Sequence, residues 1–301
     1  MSGLSRRAAA VLMVATFSGC AGSQRDLDGS PVVPQSPSMS RAATHEPGPG
    51  PRGDLLYTIT NDGIEVLTYP KGRKVFTIKI TGPWALCSDA SGDVFVPTYD
   101  RYVYEYAHGG KHPIARLDTQ TDSPLTGCSV DPATGNVAVA AFHDGIIIFS
   151  NGSKYEQIEP PIVPYKCAYD DQGNLFVNGI SYFALAELAK GSGQFNEITL
   201  DREGNRPDGD LQWDGQYMAV STTQAGPAIY RFTVSGSQGT VVQTVRARGQ
   251  KGSGMFIVVD KRVIGQRNHS PIVGVWEYPR GNRLHRGIDA QAQDLALSVS
   301  P

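Results

Sequence analysis

Charge is scarce in this 301-residue chain: Asp, Glu, Lys and Arg make up 19% of it, and 27 basic residues against 29 acidic leave a formal net charge of -2. Without a basic excess the chain lacks the electrostatic footprint that phosphate backbones require, so no nucleic-acid partner is expected. Motifs of common enzyme chemistry are also missing. There is no Gly-x-Ser-x-Gly elbow, no His-Glu-x-x-His and no phosphate-binding glycine loop, so nothing nominates a nucleophile, and neither a cofactor nor a metal is expected. No apolar run is long enough to span a bilayer. What is plentiful is apolar bulk and turn formers. Hydrophobic residues at 40% supply a core and exclude disorder of the whole chain, while 34 Gly and 20 Pro favour many short strands joined by tight turns. The expected fold class is all-β.

The N-terminal residues read as an address. Arg6 and Arg7 precede the apolar or small residues Ala8 to Phe17, followed by Ser18-Gly19-Cys20, the charged, hydrophobic and small-residue order of a secretory signal. Phe17-Ser18-Gly19-Cys20 resembles the lipobox of bacterial lipoproteins, with Phe in place of the usual Leu. That resemblance implies a signal peptide over residues 1–20, lipidation of Cys20 and a membrane partner reached through the lipid. Ala21 stands where an Asp would signal inner-membrane retention, which points to the outer membrane of a Gram-negative envelope. Residues 21–53 hold six prolines among serines and glycines and little to bury, so they are expected to be a disordered tether. As a flexible coil this segment has an r.m.s. span of roughly 30 Å. Arg52-Gly53-Asp54 and Asn151-Gly152-Ser153 match recognition tripeptides short enough to arise by chance.

From Asp54 the chain repeats itself. Pro83-Trp84-Ala85-Leu86-Cys87-Ser88-Asp89 aligns with Thr126-Gly127-Cys128-Ser129-Val130-Asp131 and with Pro164-Tyr165-Lys166-Cys167-Ala168-Tyr169-Asp170. Each runs through a Gly turn at Gly92, Gly135 or Gly173 into an aliphatic strand, and a further strand follows at Tyr102 to Tyr106, Gly145 to Phe149 or Tyr182 to Leu188. Weaker copies place the same Asp at 214 and 260, so Asp89, Asp131, Asp170, Asp214 and Asp260 step by 42, 39, 44 and 46. At the ends, Leu55 to Thr60, Ile64 to Tyr69 and Lys74 to Ile80 supply three strands without an inner partner, and Leu295 to Val299 an inner strand without a blade. The expected fold is therefore a six-bladed β-propeller over residues 54–301, closed by pairing of the C-terminal strand with the N-terminal blade, at about 41 residues per blade.

This pattern resembles the six-bladed NHL and gluconolactonase-type propellers. The resemblance implies a fold shared by enzymes, sensors and scaffolds, and for gluconolactonase-like members a divalent metal at the channel mouth, held by carboxylates and amides just before the inner strands. The matching positions are Trp84, Thr126, Tyr165, Gly209 or Asp210, Gly254, and Gln293 or Asp294, with only two carboxylates among them. Calcium takes six to eight oxygen ligands, which this set does not supply from side chains. Trp84, Thr126 and Tyr165 instead offer aromatic faces and a hydroxyl to a ligand at the channel mouth, although aromatics at these positions more often simply plug the channel.

His108 and His112 flank Gly109-Gly110 and are expected on a solvated hairpin rather than as zinc ligands. Cys128 and Cys167 occupy the slot of Leu86, while Cys87 stands one residue later and so on the opposite strand face. An odd count beyond Cys20 suggests a reactive thiol or intermolecular bridge. Small apolar packing between blades is the simpler expectation for Cys128 and Cys167. Functionally, the favoured expectation is a membrane-anchored extracytoplasmic lipoprotein whose propeller loops bind a protein, peptide or glycan. The alternative is a metal-dependent enzyme of lactonase or lyase type at the channel mouth.

Overall fold

The computed structural model describes residues 52–179, 184–201, 207–222, 228–250, 256–267, 272–281 and 284–301. Cys20, the lipobox-like segment and nearly all of the proline-rich stretch therefore lie outside the described residues, as does Gly254. Every regular element among the described residues is a strand. The chain opens with β1 (Leu55–Thr60), β2 (Gly63–Thr68) and β3 (Lys74–Ile78). Next come β4 (Cys87–Ser88), β5 (Val94–Pro97), β6 (Tyr102–Tyr106) and β7 (Ala115–Asp118), then β8 (Leu125–Val130), β9 (Val137–Ala141), β10 (Gly145–Ser150) and β11 (Ser153–Ile158). The fourth group is β12 (Pro164–Tyr169), β13 (Leu175–Gly179), β14 (Leu185–Leu188) and β15 (Asn196–Leu200), and the fifth β16 (Leu211–Trp213), β17 (Met218–Thr222), β18 (Ala228–Ser235) and β19 (Gln238–Val245). Last are β20 (Phe256–Val259), β21 (Arg262–Gln266), β22 (Val273–Glu277), β23 (Leu284–Ile288) and β24 (Leu295–Ser298).

Within each group the strands pair antiparallel in chain order. The exception in connectivity is β24, which adds to β1 in the order β24-β1-β2-β3, with Leu55 opposite Ser298 and Thr58 opposite Leu295. The fourth and fifth groups merge into one sheet of eight strands through a parallel pairing of β15 with β19, Thr199 opposite Gln238 and Leu200 opposite Gly239.

The repeated Asp is a turn residue. Asp89 Oδ1 accepts backbone hydrogen bonds from Ser91 and Asp93, Asp170 Oδ1 from Gln172 and Asn174, and Asp214 Oδ1 from Gln216 and Tyr217. The side chain thus mimics a backbone turn and closes the hairpin between the first two strands of these three groups. Gly92 is required twice over at this turn: its φ is +87°, and a Cβ there would lie 2.1 Å from the carbonyl oxygen of Val299.

Strand composition follows from burial on two faces. Every residue of Val137–Ala141 is buried, as are all but the last of Gly145–Ser150. These strands show no polar alternation because each sheet is packed on both sides, the condition that gives continuous apolar runs. Core clusters accordingly join sheets in pairs. Tyr57, Val66 and Ile78 pack with Leu86, Val96 and Tyr106 of the next sheet, while Leu56 and Leu67 pack with Ile264, Val273 and Val275. The first sheet thus shares one core with the second and another with the last. Each fully buried Val, Leu or Ile stabilises such a contact by about 1.5–3 kcal/mol. Outer strands, which cover less, turn polar, as in the exposed residues of β15 and β23.

Polar groups also cross the junctions. Arg231 Nε donates to Asp214 Oδ2 at 2.5 Å and its Nη1 to Gln243 Oε1 at 2.7 Å, while the Tyr278 hydroxyl of a neighbouring sheet donates to the same Asp214 oxygen at 2.6 Å. Burial pushes the Asp214 carboxyl up, but these bonds outweigh it and hold it below the usual carboxylate range.

Two sequence expectations are corrected here. Cys128 does not serve as simple packing: it forms a disulfide with Cys87, with Cα atoms 5.7 Å apart. The opposite-face parity is the physical reason, because one sheet presents its rear face to the front face of the next, and residues on opposite faces meet across the gap. Cys167 is the buried free thiol, in line with the packing expectation, and burial pushes its pKa up to about 12. The solvated hairpin expected for His108 and His112 holds for the exposed His112 but not for His108. The His108 Nδ1 lies 2.6 Å from Ser298 Oγ on β24, and its Nε2 is buried without a hydrogen-bond partner among the described residues.

Candidate functional site

The innermost strand of each sheet begins at one end, and antiparallel pairing brings the turn between the second and third strands, counted outward, to that same end. Two concave features lie there or open from it. One is a cavity of about 460 Å³ between the innermost strands, lined by β4 and by residues on or next to β8, β12, β16 and β24. The other is a groove of about 410 Å³ between the first two sheets, lined by Thr60, Asn61, Asp62, Trp84, Tyr99 and Gln293 among others.

Trp84 is fixed in the groove by its backbone. Its N–H donates to the Pro97 carbonyl at 2.9 Å, Tyr99 N–H donates to Gly82 at 2.9 Å, and Pro83 bridges Thr98 between them. This clip aligns the approach to β4 with the turn after β5. The rings of Trp84 and Tyr99 meet edge to face at 4.6 Å between centroids, yet the residues remain 38% and 51% exposed. Along the far wall, Gln293 Nε2 donates to Asn61 Oδ1 at 2.8 Å, and Lys79 Nζ donates to the Asp62 carbonyl at 3.1 Å. The groove therefore presents two aromatic surfaces, neutral amides and one carboxylate side chain. Such a combination suits a ligand that stacks and hydrogen-bonds more than one that is held by charge.

Thr126 and Tyr165 do not join Trp84. Both stand at bulges, where β8 skips a residue between Leu125 and Gly127 against β9 and β12 skips one between Pro164 and Lys166 against β13. Thr126 is 3% exposed, and its hydroxyl donates to Ala140 in its own sheet at 3.4 Å. Tyr165 is half-buried and lies against Lys166, whose Nζ is 5.6 Å from its ring centroid. Burial pushes the Tyr165 hydroxyl up, with the Lys166 ammonium opposing. Neither residue lines either concavity.

The charged centre of the innermost cavity is Lys166. Its ammonium lies 3.0 Å from Asp294 Oδ2 and 3.4 Å from Asp210 Oδ1, with the three side chains 13%, 8% and 14% exposed. Asp294 also accepts the backbone N–H groups of Leu86 and Leu295, at 3.2 and 2.9 Å. Around Lys166, Asn178 Oδ1 accepts its backbone N–H while Asn178 Nδ2 donates to Pro207 and Gly209, tying β13 to the segment that carries Asp210. Gly127 leaves space for the lysine stem, since a Cβ there would lie 2.9 Å from Lys166 Cα and 3.2 Å from its Cδ. Burial pulls the Lys166 pKa down, but the carboxylates of Asp294 and then Asp210 outweigh it and hold the group protonated above the usual lysine range.

These residues do not fit the divalent metal that the gluconolactonase resemblance implies. The two carboxylates expected as ligands already hold an ammonium between them, and a dication bound to Asp294 Oδ2 would face that ammonium across a single oxygen. Sequence reasoning named Asp210 and Asp294 but missed Lys166. The available signal was a lysine on an inner strand in the slot filled by Ala85 and Gly127 in the aligned copies.

No protein-family model and no curated protein sequence matches the chain. Solved structures do. A chain from the crystal structure of a nidogen/laminin complex superposes with a TM-score of 0.66 at 13% identity, covering 82% of this chain and 99% of that one. A protein of unknown function from Bacteroides caccae gives a TM-score of 0.60 at 12% identity over 82% and 98% of the two chains. Streptogramin B lyase gives 0.53 at 13% identity over 80% and 75%. At these identities the likeness establishes fold alone, and that fold is a β-propeller.

Proposed function

We propose that this protein is an extracytoplasmic binding or scaffold lipoprotein, tethered to a membrane through Cys20 and engaging a protein, peptide or glycan through the loops at the mouth of its propeller. In this reading residues 1–20 are the signal peptide, 21–53 the tether, and 54–301 a six-bladed NHL-like ring closed by β24. The pairing of β24 with β1, and the cores that the first sheet shares with both the second and the last, support that closure. The Cys87–Cys128 disulfide supports an oxidising compartment outside the cytoplasm, where such bonds persist. One structural neighbour comes from a complex of nidogen with laminin, an example of this fold within a protein–protein complex.

The observation that carries the binding reading is the exposed Trp84–Tyr99 pair beside a groove at the mouth. Large aromatics are the residues most often found to dominate binding energy at interfaces. Neutral oligosaccharides and aromatic peptides, titrated while Trp fluorescence is followed in a Trp213→Phe/Trp276→Phe background, should give a saturable signal from Trp84. Tyr99→Ala should weaken that affinity at least tenfold. Should neither panel bind, and should partners from native membranes co-purify equally with the wild type and a Trp84→Ala/Tyr99→Ala variant, the groove is not the binding surface. The same membranes test anchorage: Cys20→Ala should move the protein to the soluble fraction, and its retention in the membrane fraction would remove the lipid from this reading.

A further inference from the structure

We propose that Lys166 is the resident cation of the propeller channel: its ammonium occupies the position of a divalent metal, and removing it while leaving the carboxylates converts the mouth into a divalent-cation site. This inference concerns the channel and is independent of ligand binding in the Trp84–Tyr99 groove.

Three observations converge on it. First, the charge arrangement is that of a metal centre with the metal replaced. Asp294 Oδ2 at 3.0 Å and Asp210 Oδ1 at 3.4 Å reach Lys166 Nζ from two different sheets, at the positions where the family resemblance puts cation ligands. Second, the surroundings are built for a fixed positive charge. The Tyr165 ring lies 5.6 Å from the same Nζ, a distance at which the face of an aromatic ring attracts a cation, and Asn178 fastens both the lysine backbone and the segment before Asp210. Third, the stem has a prepared path, because Gly127 on the neighbouring inner strand leaves no Cβ where Lys166 Cα and Cδ pass.

An ammonium and a dication make different demands. The lysine supplies one charge through a covalent tether, with hydrogen bonds near 3 Å, whereas calcium would draw carboxylate oxygens to about 2.3–2.6 Å and recruit backbone carbonyls or water to complete its shell. With the lysine present, both requirements cannot be met on the same Asp294 oxygen. Without it, two carboxylates line the same cavity with no ammonium between them, and a small divalent ion is the natural counter-charge. The wild-type mouth therefore lacks the Lewis acid with which a metal-dependent lactonase would polarise a carbonyl. It offers an ammonium in that place.

The test uses the folded protein and the metals alone. Terbium luminescence, sensitised by nearby tyrosine and tryptophan and displaced by calcium, reports on binding in the wild type, Lys166→Met and Lys166→Met/Asp294→Asn. Methionine keeps most of the apolar stem, so this variant is chosen over Lys166→Ala, which is more exposed to misfolding. The expected result is one calcium-displaceable site in Lys166→Met, absent from the wild type and from the double variant. In thermal scans, calcium a hundredfold above its dissociation constant should raise the melting temperature of Lys166→Met by a few degrees and leave the wild type unchanged. The proposal is overturned if wild-type protein binds terbium at a site lost on Asp294→Asn, if Lys166→Met binds none, or if its binding survives the second substitution.

Discussion

Two junctions between neighbouring strand groups are fastened by a covalent bond or by backbone pairing, at opposite edges of those groups. Between the second and third groups the innermost strands are joined, by Cys87 next to β8 residue Cys128, and 41 residues separate the two cysteines. Between the fourth and fifth the outermost strands are joined, by the parallel β15–β19 ladder and by Asp201, whose Oδ1 accepts the N–H of Val241 at 3.0 Å. Inner strands of adjacent sheets present faces rather than edges to each other, so side chains must bridge them. Outer edges can pair by backbone, but only where a strand is long enough to reach. β18 and β19, at eight residues each, are the longest strands of the described residues and make that reach.

The devices differ in energetic character. A disulfide acts chiefly on the unfolded chain by removing loop-closure entropy, about 4 kcal/mol for a loop of this length. Its effect should be global. The outer ladder adds a few hydrogen bonds, each contributing about 1 kcal/mol net, and covers an edge that would otherwise offer itself to another chain. Its effect should be local.

The sharpest way to break the comparison is at a junction with neither device, where β24 completes the first sheet. Deleting residues 292–301 removes the β1 partner strand, the buried Leu295 and Leu297, and the Asp294 contact with Lys166. We expect loss of cooperative unfolding and aggregation in size-exclusion chromatography. A truncated protein that stays monodisperse with unchanged melting temperature would show that β24 is dispensable to the fold. Next in size, Cys87→Ala/Cys128→Ala should cost about 4 kcal/mol in denaturant unfolding, and a reducing agent should produce a similar loss in the wild type. A loss below about 1 kcal/mol would show that the cross-link adds little net stability and is not the global fastening proposed for it. Asp201→Ala should be the mildest, lowering global stability by about 1 kcal/mol while speeding hydrogen exchange of β15 and β19. Accelerated exchange spread evenly over all sheets would instead make the outer ladder a global element.

Local chemistry explains which parts of this molecule were legible beforehand. The bounds of β1 and β6 match the sequence reading residue for residue, and β24 falls short of it by one residue. Strand periodicity and turn residues act over a few positions, so they can be read without the fold. The repeated Asp was legible as a period for the same reason, since its Oδ1 bonds reach only two to four residues along the chain. Strand β14 was less so: the reading began it at Tyr182, whereas it starts at Leu185 and residues 180–183 lie outside the described region.

The site divides along the same line. Trp84 could be found from its place just before an inner strand, but its partner Tyr99 comes from a turn in the next hairpin, and Gln293 from the far end of the chain. Face parity put Cys87 and Cys128 on opposite faces, and stacking sheets front to back is what brings those two faces together across one gap.

By itself, the sequence determined the strands, their turns and the repeat, because those depend on backbone preferences and on apolar spacing within a few residues. Tertiary structure alone decided that Lys166, Asp210 and Asp294 would meet. They are far apart in the chain, Lys166 and Asp294 by 128 positions, and no local rule links them. Only the arrangement of successive inner strands around one cavity brings a lone ammonium within hydrogen-bond reach of two carboxylates, where burial strengthens their attraction and makes each depend on the others.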